Sequence, residues 1–138
     1  MDSGRMDVDA ILSLLRTSYW SAAIRREVLE RAISNSIVIG AFDAGGKQIA
    51  FARAVTDRAT FAWLCDVIVR EHWRGRGIGR AMVRTLMARD DLQTLRRWCL
   101  ATRDAHGVYE PLGFVPVAPG RWYEHRLDPR VWSEPEAR

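Results

Sequence analysis

Apolar residues recur along this chain at two spacings, and the switches between them mark its elements. Val8, Ile11, Leu12 and Leu15 form a stripe at helical spacing behind Asp7, a residue type that caps helices. The polar run Thr17–Ser21 interrupts it. A second helix is expected over 22–32, with Ile24, Val28 and Leu29 inward and Glu27–Arg31 as a surface pair. The spacing then drops to that of strands. Ile37–Phe42 and 48–55 flank the turn signal Asp43-Ala44-Gly45-Gly46, and Phe61–Val69 completes a meander.

The next stretch organises the rest. The β-branched run Val67-Ile68-Val69 gives way to Arg74-Gly75-Arg76-Gly77-Ile78-Gly79-Arg80 and then to helical periodicity. Ile78, Met82 and Leu86 share one face of that helix, and Arg76, Arg80 and Arg84 another. A strand, a glycine-rich turn and a helix start aim unpaired N–H groups and the positive helix end at one point, which suits a phosphate. The arginines add charge of the right sign. A dinucleotide fingerprint needs a different glycine spacing, and a P-loop needs Lys-Ser/Thr where Arg80 and Ala81 stand.

After this helix, to about residue 88, a strand is expected over 97–102 and a short helix over 105–112, ended by Gly113. Strands are also expected at 114–117 and 122–126. The fold class is thus α/β, with a mixed, mostly antiparallel sheet and a parallel crossover through the helix after the glycine loop. At 138 residues, one domain over 1–128 is expected, followed by a loose, charged, proline-containing tail at 129–138.

Net charge is +4 and the pI about 9.7, mostly from arginine, which fits either a solvated arginine-rich surface or attraction of a polyanionic ligand such as CoA or nucleic acid; the charge alone does not choose between them. The densest arginines surround the glycine loop, so a compact phosphate ligand is favoured over nucleic acid. Two scattered cysteines, Cys65 and Cys99, form neither a metal pattern nor a disulfide framework and fit a cytoplasmic setting. His72, His106 and His125 are too dispersed for a metal site. No apolar run reaches the length of a membrane span.

Arg74, Gly77 and Gly79 satisfy Arg/Gln-x-x-Gly-x-Gly/Ala, and Tyr109-Glu110-Pro111-Leu112-Gly113-Phe114 supplies a Tyr-x-x-x-Gly-Phe block at compatible distance. Together they resemble the GNAT superfamily of N-acetyltransferases. Ser18-Tyr19-Trp20, Thr56-Asp57-Arg58 and 101–106 are similar to a bacterial subgroup without a defined substrate. The chain departs from the family at Thr102, often Asn there, at Glu71, often Pro, and at Pro111 within the short helix.

The resemblance implies acetyl-CoA as co-substrate, held by Arg74, Gly75, Arg76, Gly77, Ile78, Gly79 and Arg80 around the pyrophosphate. Val67, Ile68 and Val69 would lie along the pantetheine arm, with Thr102 nearby and the Val67 N–H as oxyanion donor. It also implies a splayed parallel strand pair and a possible homodimer. Tyr109 is the candidate general acid toward the CoA sulfur, because a phenol is protonated at neutral pH. Asp66, among apolar neighbours and expected to share a face with Leu64 and Ile68, is either a base with a raised pKa or a carboxylate paired to Arg53. Tyr19, Trp20 and Arg53 are the candidate contacts for an amine acceptor, small molecule or peptide. The rivals are an acyl-CoA-binding module without catalysis and a basic nucleic-acid binder.

Overall fold

Four strands in the order β1-β2-β3-β4 carry the molecule, with helices on both faces. A computed structural model describes residues 5–135. The elements are α1 (Val8–Leu15), α2 (Arg26–Ser34), β1 (Ile37–Phe42), β2 (Gln48–Thr56), β3 (Phe61–Val69), α3 (Ile78–Met87), β4 (Arg97–Cys99) and α4 (His106–Tyr109). β1, β2 and β3 form the antiparallel meander, and β4 joins β3 in parallel.

Strand alternation sorts the two cores. Ala50, Ala52 and Ala54 of β2 face α3 and meet Met82, Val83 and Leu86. Phe51 points the other way, into Ile11, Leu15, Leu29 and Ile33 of α1 and α2. Small residues on the α3 face let that helix lie close to the sheet. Asp7 caps α1 through Oδ1, which accepts from the Ala10 N–H at 3.1 Å.

β3 breaks the alternation. Arg53 opposes Cys65 and Phe51 opposes Ile68, so Ala52 faces two residues, Asp66 and Val67. This is a β-bulge, which bends a strand and re-aims its side chains. Asp66 takes the left-handed conformation there, with φ +54°. Leu64, Val67 and Val69 therefore pack with the α3 core, while Ile68 packs with the α1–α2 core. The expectation that Asp66 shares a face with both Leu64 and Ile68 is corrected accordingly. The inserted residue inverts the pleat between them.

Other departures have local causes. β4 pairs with β3 only at Phe61–Trp63 against Arg97–Cys99, so it is shorter than the 97–102 expected. Beyond Trp63, β3 continues without a partner on that side, which is the splay. No strand forms at 114–117 or 122–126: β4 is the edge of the sheet, and it spans only Arg97–Cys99. Val115, Tyr123 and Leu127 are exposed there. α2 starts at Arg26 rather than 22 because residues 23–25 bind the C-terminal segment. The Glu27–Arg31 pair gives way to Arg26–Glu30, at 2.8 Å.

The segment from residue 129 is not loose up to its last described residues. Ile24 bridges Ser133, the Arg25 N–H donates to the Trp132 carbonyl at 3.1 Å, and Trp132 packs on the α1–α2 core. No helix among the described residues is long and apolar enough to cross a membrane.

Candidate active site

The glycine loop joins the end of β3 to the start of α3. Gly75 and Gly77 have φ of +78° and +79°, in the left-handed region that glycine occupies without penalty. A Cβ built on either meets nothing within 4 Å, so both are open to solvent. Gly77 is the N-cap of α3 and has no side chain with which to satisfy the first-turn N–H groups. Gly79 differs. Its φ is ordinary, and a Cβ there would touch Val69 Cγ2 at 3.7 Å and Val67 Cγ1 at 3.9 Å. It marks close packing of the helix start on the end of β3.

The arginines surround this loop. Arg74 Nε donates to the Val69 carbonyl at 2.9 Å, fixing the turn to the strand. The Arg76 guanidinium lies 4.8 Å from the centre of the Trp73 ring. Arg80 reaches from α3 to α4, donating from Nη2 to the Gly107 carbonyl at 3.3 Å. Its Nε is buried without a partner. The uncapped first-turn N–H groups of α3, with the arginine charges around them, fit the acceptor oxygens of a pyrophosphate.

Val69, Ile68 and Val67 lead back from the loop toward the bulge. Asp66 and Val67 have no register partner on β2, and none on β4. Their backbone thus lies along the open side of the split. Across the split, Thr102 is half-buried, and its Oγ1 accepts from the Ala105 N–H at 3.0 Å, which shapes the turn into α4. Tyr109 at the end of α4 is 9% exposed and packs edge-on to Phe114, with ring centres 5.8 Å apart. Burial, and next the nearby Tyr19, push its hydroxyl up to about 12. It therefore holds its proton across the whole neutral range.

Tyr19 and Trp20 lie on the α1–α2 connection, half-exposed and at right angles, with ring centres 5.0 Å apart. Asp66 and Arg53 form one buried unit. Arg53 Nε donates to Asp66 Oδ2 at 2.6 Å, and Arg53 Nη1 donates to Ser36 Oγ at 3.2 Å. Trp20 Nε1 donates to Asp66 Oδ1 at 2.9 Å. The ion pair is the alternative that the sequence left open for Asp66. It commits the Arg53 guanidinium inward, away from a free acceptor.

The sequence reading overlooked Arg103. Its guanidinium carbon lies 3.7 Å from the Tyr19 ring centre, and its N–H donates to Tyr19 Oη at 3.2 Å. Periodicity carries no signal for a contact 84 residues apart in sequence. A cleft of about 1240 Å³ lies beside β4 rather than at the glycine loop, lined by Trp98, Thr102, Tyr109, Phe114 and Trp122. It is the space left where the 114–126 segment fails to pair with β4.

Residues 34–116 match the family described as acetyltransferase (GNAT) domain, a span that holds the glycine loop, the splayed strands and Tyr109. The chain belongs to the GNAT acetyltransferase family. A GNAT-family structure from Xanthomonas campestris pv. campestris superposes with a TM-score of 0.86 at 40% identity, covering 96% of this chain and 94% of that one. An uncharacterized N-acetyltransferase, ycf52, of Pyropia yezoensis is 30% identical over 61% of this chain and 51% of its own length. Serotonin N-acetyltransferase 2, chloroplastic, of rice (Oryza sativa subsp. japonica) is 37% identical over 46% of this chain and 34% of its own. The chain thus spans about half or less of the curated relatives it matches. A Clostridium acetobutylicum acetyltransferase solved with acetyl-CoA shares the fold, with a TM-score of 0.67 at 16% identity over 95% of this chain and 94% of that one.

Proposed function

We propose that this GNAT protein is an acetyl-CoA-dependent N-acetyltransferase that moves the acetyl group directly to a primary amine. The observation that carries the reading is the glycine loop, with left-handed Gly75 and Gly77 open to solvent and the uncapped start of α3 beside them. Acetyl-CoA supplies a thioester, a carbonyl activated toward amines. Residues 74–80 hold the pyrophosphate, and Val67–Val69 guide the pantetheine arm toward the split. In this reading the Val67 N–H donates to the carbonyl oxygen as that oxygen gains charge. The amine nitrogen bonds to the acetyl carbon, the carbon–sulfur bond breaks, Tyr109 gives its proton to the departing sulfur, and the proton that the new amide nitrogen sheds passes through solvent to restore the Tyr109 hydroxyl.

Asp66 moves no proton in this reading. Both its oxygens already accept hydrogen bonds, and the Arg53 pair stabilises its charge. The ammonium loses its proton to solvent before attack. The free cysteines and the absence of a membrane-length helix among the described residues support a cytoplasmic place.

The test is CoA thiol release from acetyl-CoA with a panel of primary amines, comparing wild type with Tyr109→Phe. Loss of a general acid lowers kcat about 100-fold or more while acetyl-CoA affinity holds. Binding of acetyl-CoA without thiol release from any amine would favour the non-catalytic acyl-CoA module instead.

A further inference from the structure

The α1–α2 connection crosses the place where β3 and β4 part. Two adjacent residues tie it to the two sides. Trp20 is bound to Asp66 on β3 through its indole N–H at 2.9 Å. Tyr19 is bound to Arg103, beyond β4, through its hydroxyl at 3.2 Å and through the cation over its ring at 3.7 Å. The connection is also braced internally. Ser18 is 8% exposed, its Oγ donates to the Leu15 carbonyl at 2.6 Å and it accepts from the Ser21 N–H at 3.0 Å. From Trp20 the tie continues inward through Asp66 and Arg53 to Ser36 at the foot of β1. So the segment is a strap with one anchor on each wall of the split.

The strap leaves aromatic surface facing out. Tyr19 is 50% exposed and Trp20 37%. Its charges pair off, Arg53 with Asp66 and Arg103 with the adjacent Asp104 at 4.0 Å. Such a wall holds no unpaired carboxylate for a second cation on the acceptor, and it offers aromatic surface for stacking.

We infer that Asp66 is a positioning residue that holds the Tyr19–Trp20 strap across the β3–β4 split, and that the strap forms an acceptor wall for primary amines carrying an aromatic group. This rests on the acetyltransferase reading and narrows its acceptor class.

The backbone at Asp66 makes the test clean. Asparagine tolerates φ +54° as aspartate does, so Asp66→Asn preserves the bulge and keeps one oxygen for the Trp20 indole, while it removes the charge and the second acceptor that Arg53 Nε uses. Trp20→Phe removes the indole N–H and keeps a smaller aromatic ring. Tyramine and spermidine are the probe acceptors, with acetyl-CoA affinity measured separately by calorimetry. Trp20→Phe and Asp66→Ala should each raise the tyramine KM at least fivefold, with kcat within threefold and acetyl-CoA affinity unchanged. The double variant should be no worse than either single one. Asp66→Asn should stay closer to wild type in KM and show the same pH profile. Tyramine should exceed spermidine at least tenfold in kcat/KM.

A hundredfold loss of kcat in Asp66→Asn, with loss of an ionisation from the pH profile, would make Asp66 a base and overturn the positioning role. Equal or better use of spermidine would overturn the acceptor class, as would tight acetyl-CoA binding with no turnover of tyramine. The strap tie has its own readout, the Trp20 indole N–H resonance in ¹⁵N-labelled protein, identified by its loss in Trp20→Phe. It should resist solvent exchange in wild type and Asp66→Asn and lose that protection in Asp66→Ala. Equal protection in all three would overturn the tie even if acetyl-CoA binding itself failed.

Discussion

Gly77 and Gly79 stand two residues apart and do different work. Gly77 needs its left-handed φ and borders open space, whereas Gly79 has ordinary helix geometry and room for a methyl group against Val67 and Val69. Gly79→Ala should therefore fold normally and gain up to about 1 kcal/mol in chemical denaturation, the helix preference of alanine over glycine. A loss of more than that amount would show that the helix start packs more tightly on β3 than its contacts indicate. The loop residues were legible in the sequence because glycine is the residue that such a backbone demands. Asp66 was legible only as a choice. Its apolar neighbours signalled an unusual carboxylate, but neither its left-handed φ nor its bond to Trp20, 46 residues away, leaves a local trace.

Among the elements, the anchor of α1 shows how a buried polar side chain can hold an edge of the fold. Gln48 is 1% exposed at the start of β2. Its Oε1 accepts from the Asp7 N–H at 2.9 Å, and its Nε2 donates to the Ala50 carbonyl at 3.1 Å. Gly40 on β1 makes room for it, since a Cβ there would come within 2.7 Å of Gln48 Nε2. Gln48→Ala strands these backbone groups and should cost about 1–3 kcal/mol in urea unfolding. A change under 0.5 kcal/mol would mean that water replaces the amide without loss. The meander and α3 could be read directly, because apolar period and turn residues agreed there. The strands expected near Val115 and Trp122 could not. Their side chains favour strands, but a strand exists by pairing, and β4 ends after three residues.

For the whole molecule, pH separates the chemistry from the fold. If the amine sheds its proton to solvent, kcat/KM for tyramine should rise about tenfold per pH unit up to the ammonium pKa near 10. Tyr109, pushed up to about 12, stays protonated over that range and does not cut the rise short. A plateau beginning near pH 6 would instead reveal a carboxylate or histidine base on the enzyme. The same tyrosine affects stability at high pH. Its pKa is higher folded than unfolded, so burial of the neutral phenol stabilises the protein fully below pH 10. That contribution is lost as pH rises through about 12.

The central claim is that the glycine loop binds the pyrophosphate of acetyl-CoA, and calorimetry of acetyl-CoA with wild type and Gly77→Glu tests it most directly. A carboxylate at Gly77 would project into the open space beside the loop and repel the phosphates, while thermal unfolding checks that the variant still folds. Micromolar binding by wild type, lost in a folded Gly77→Glu, is the predicted result. No binding by wild type, or equal binding by both, would contradict the account.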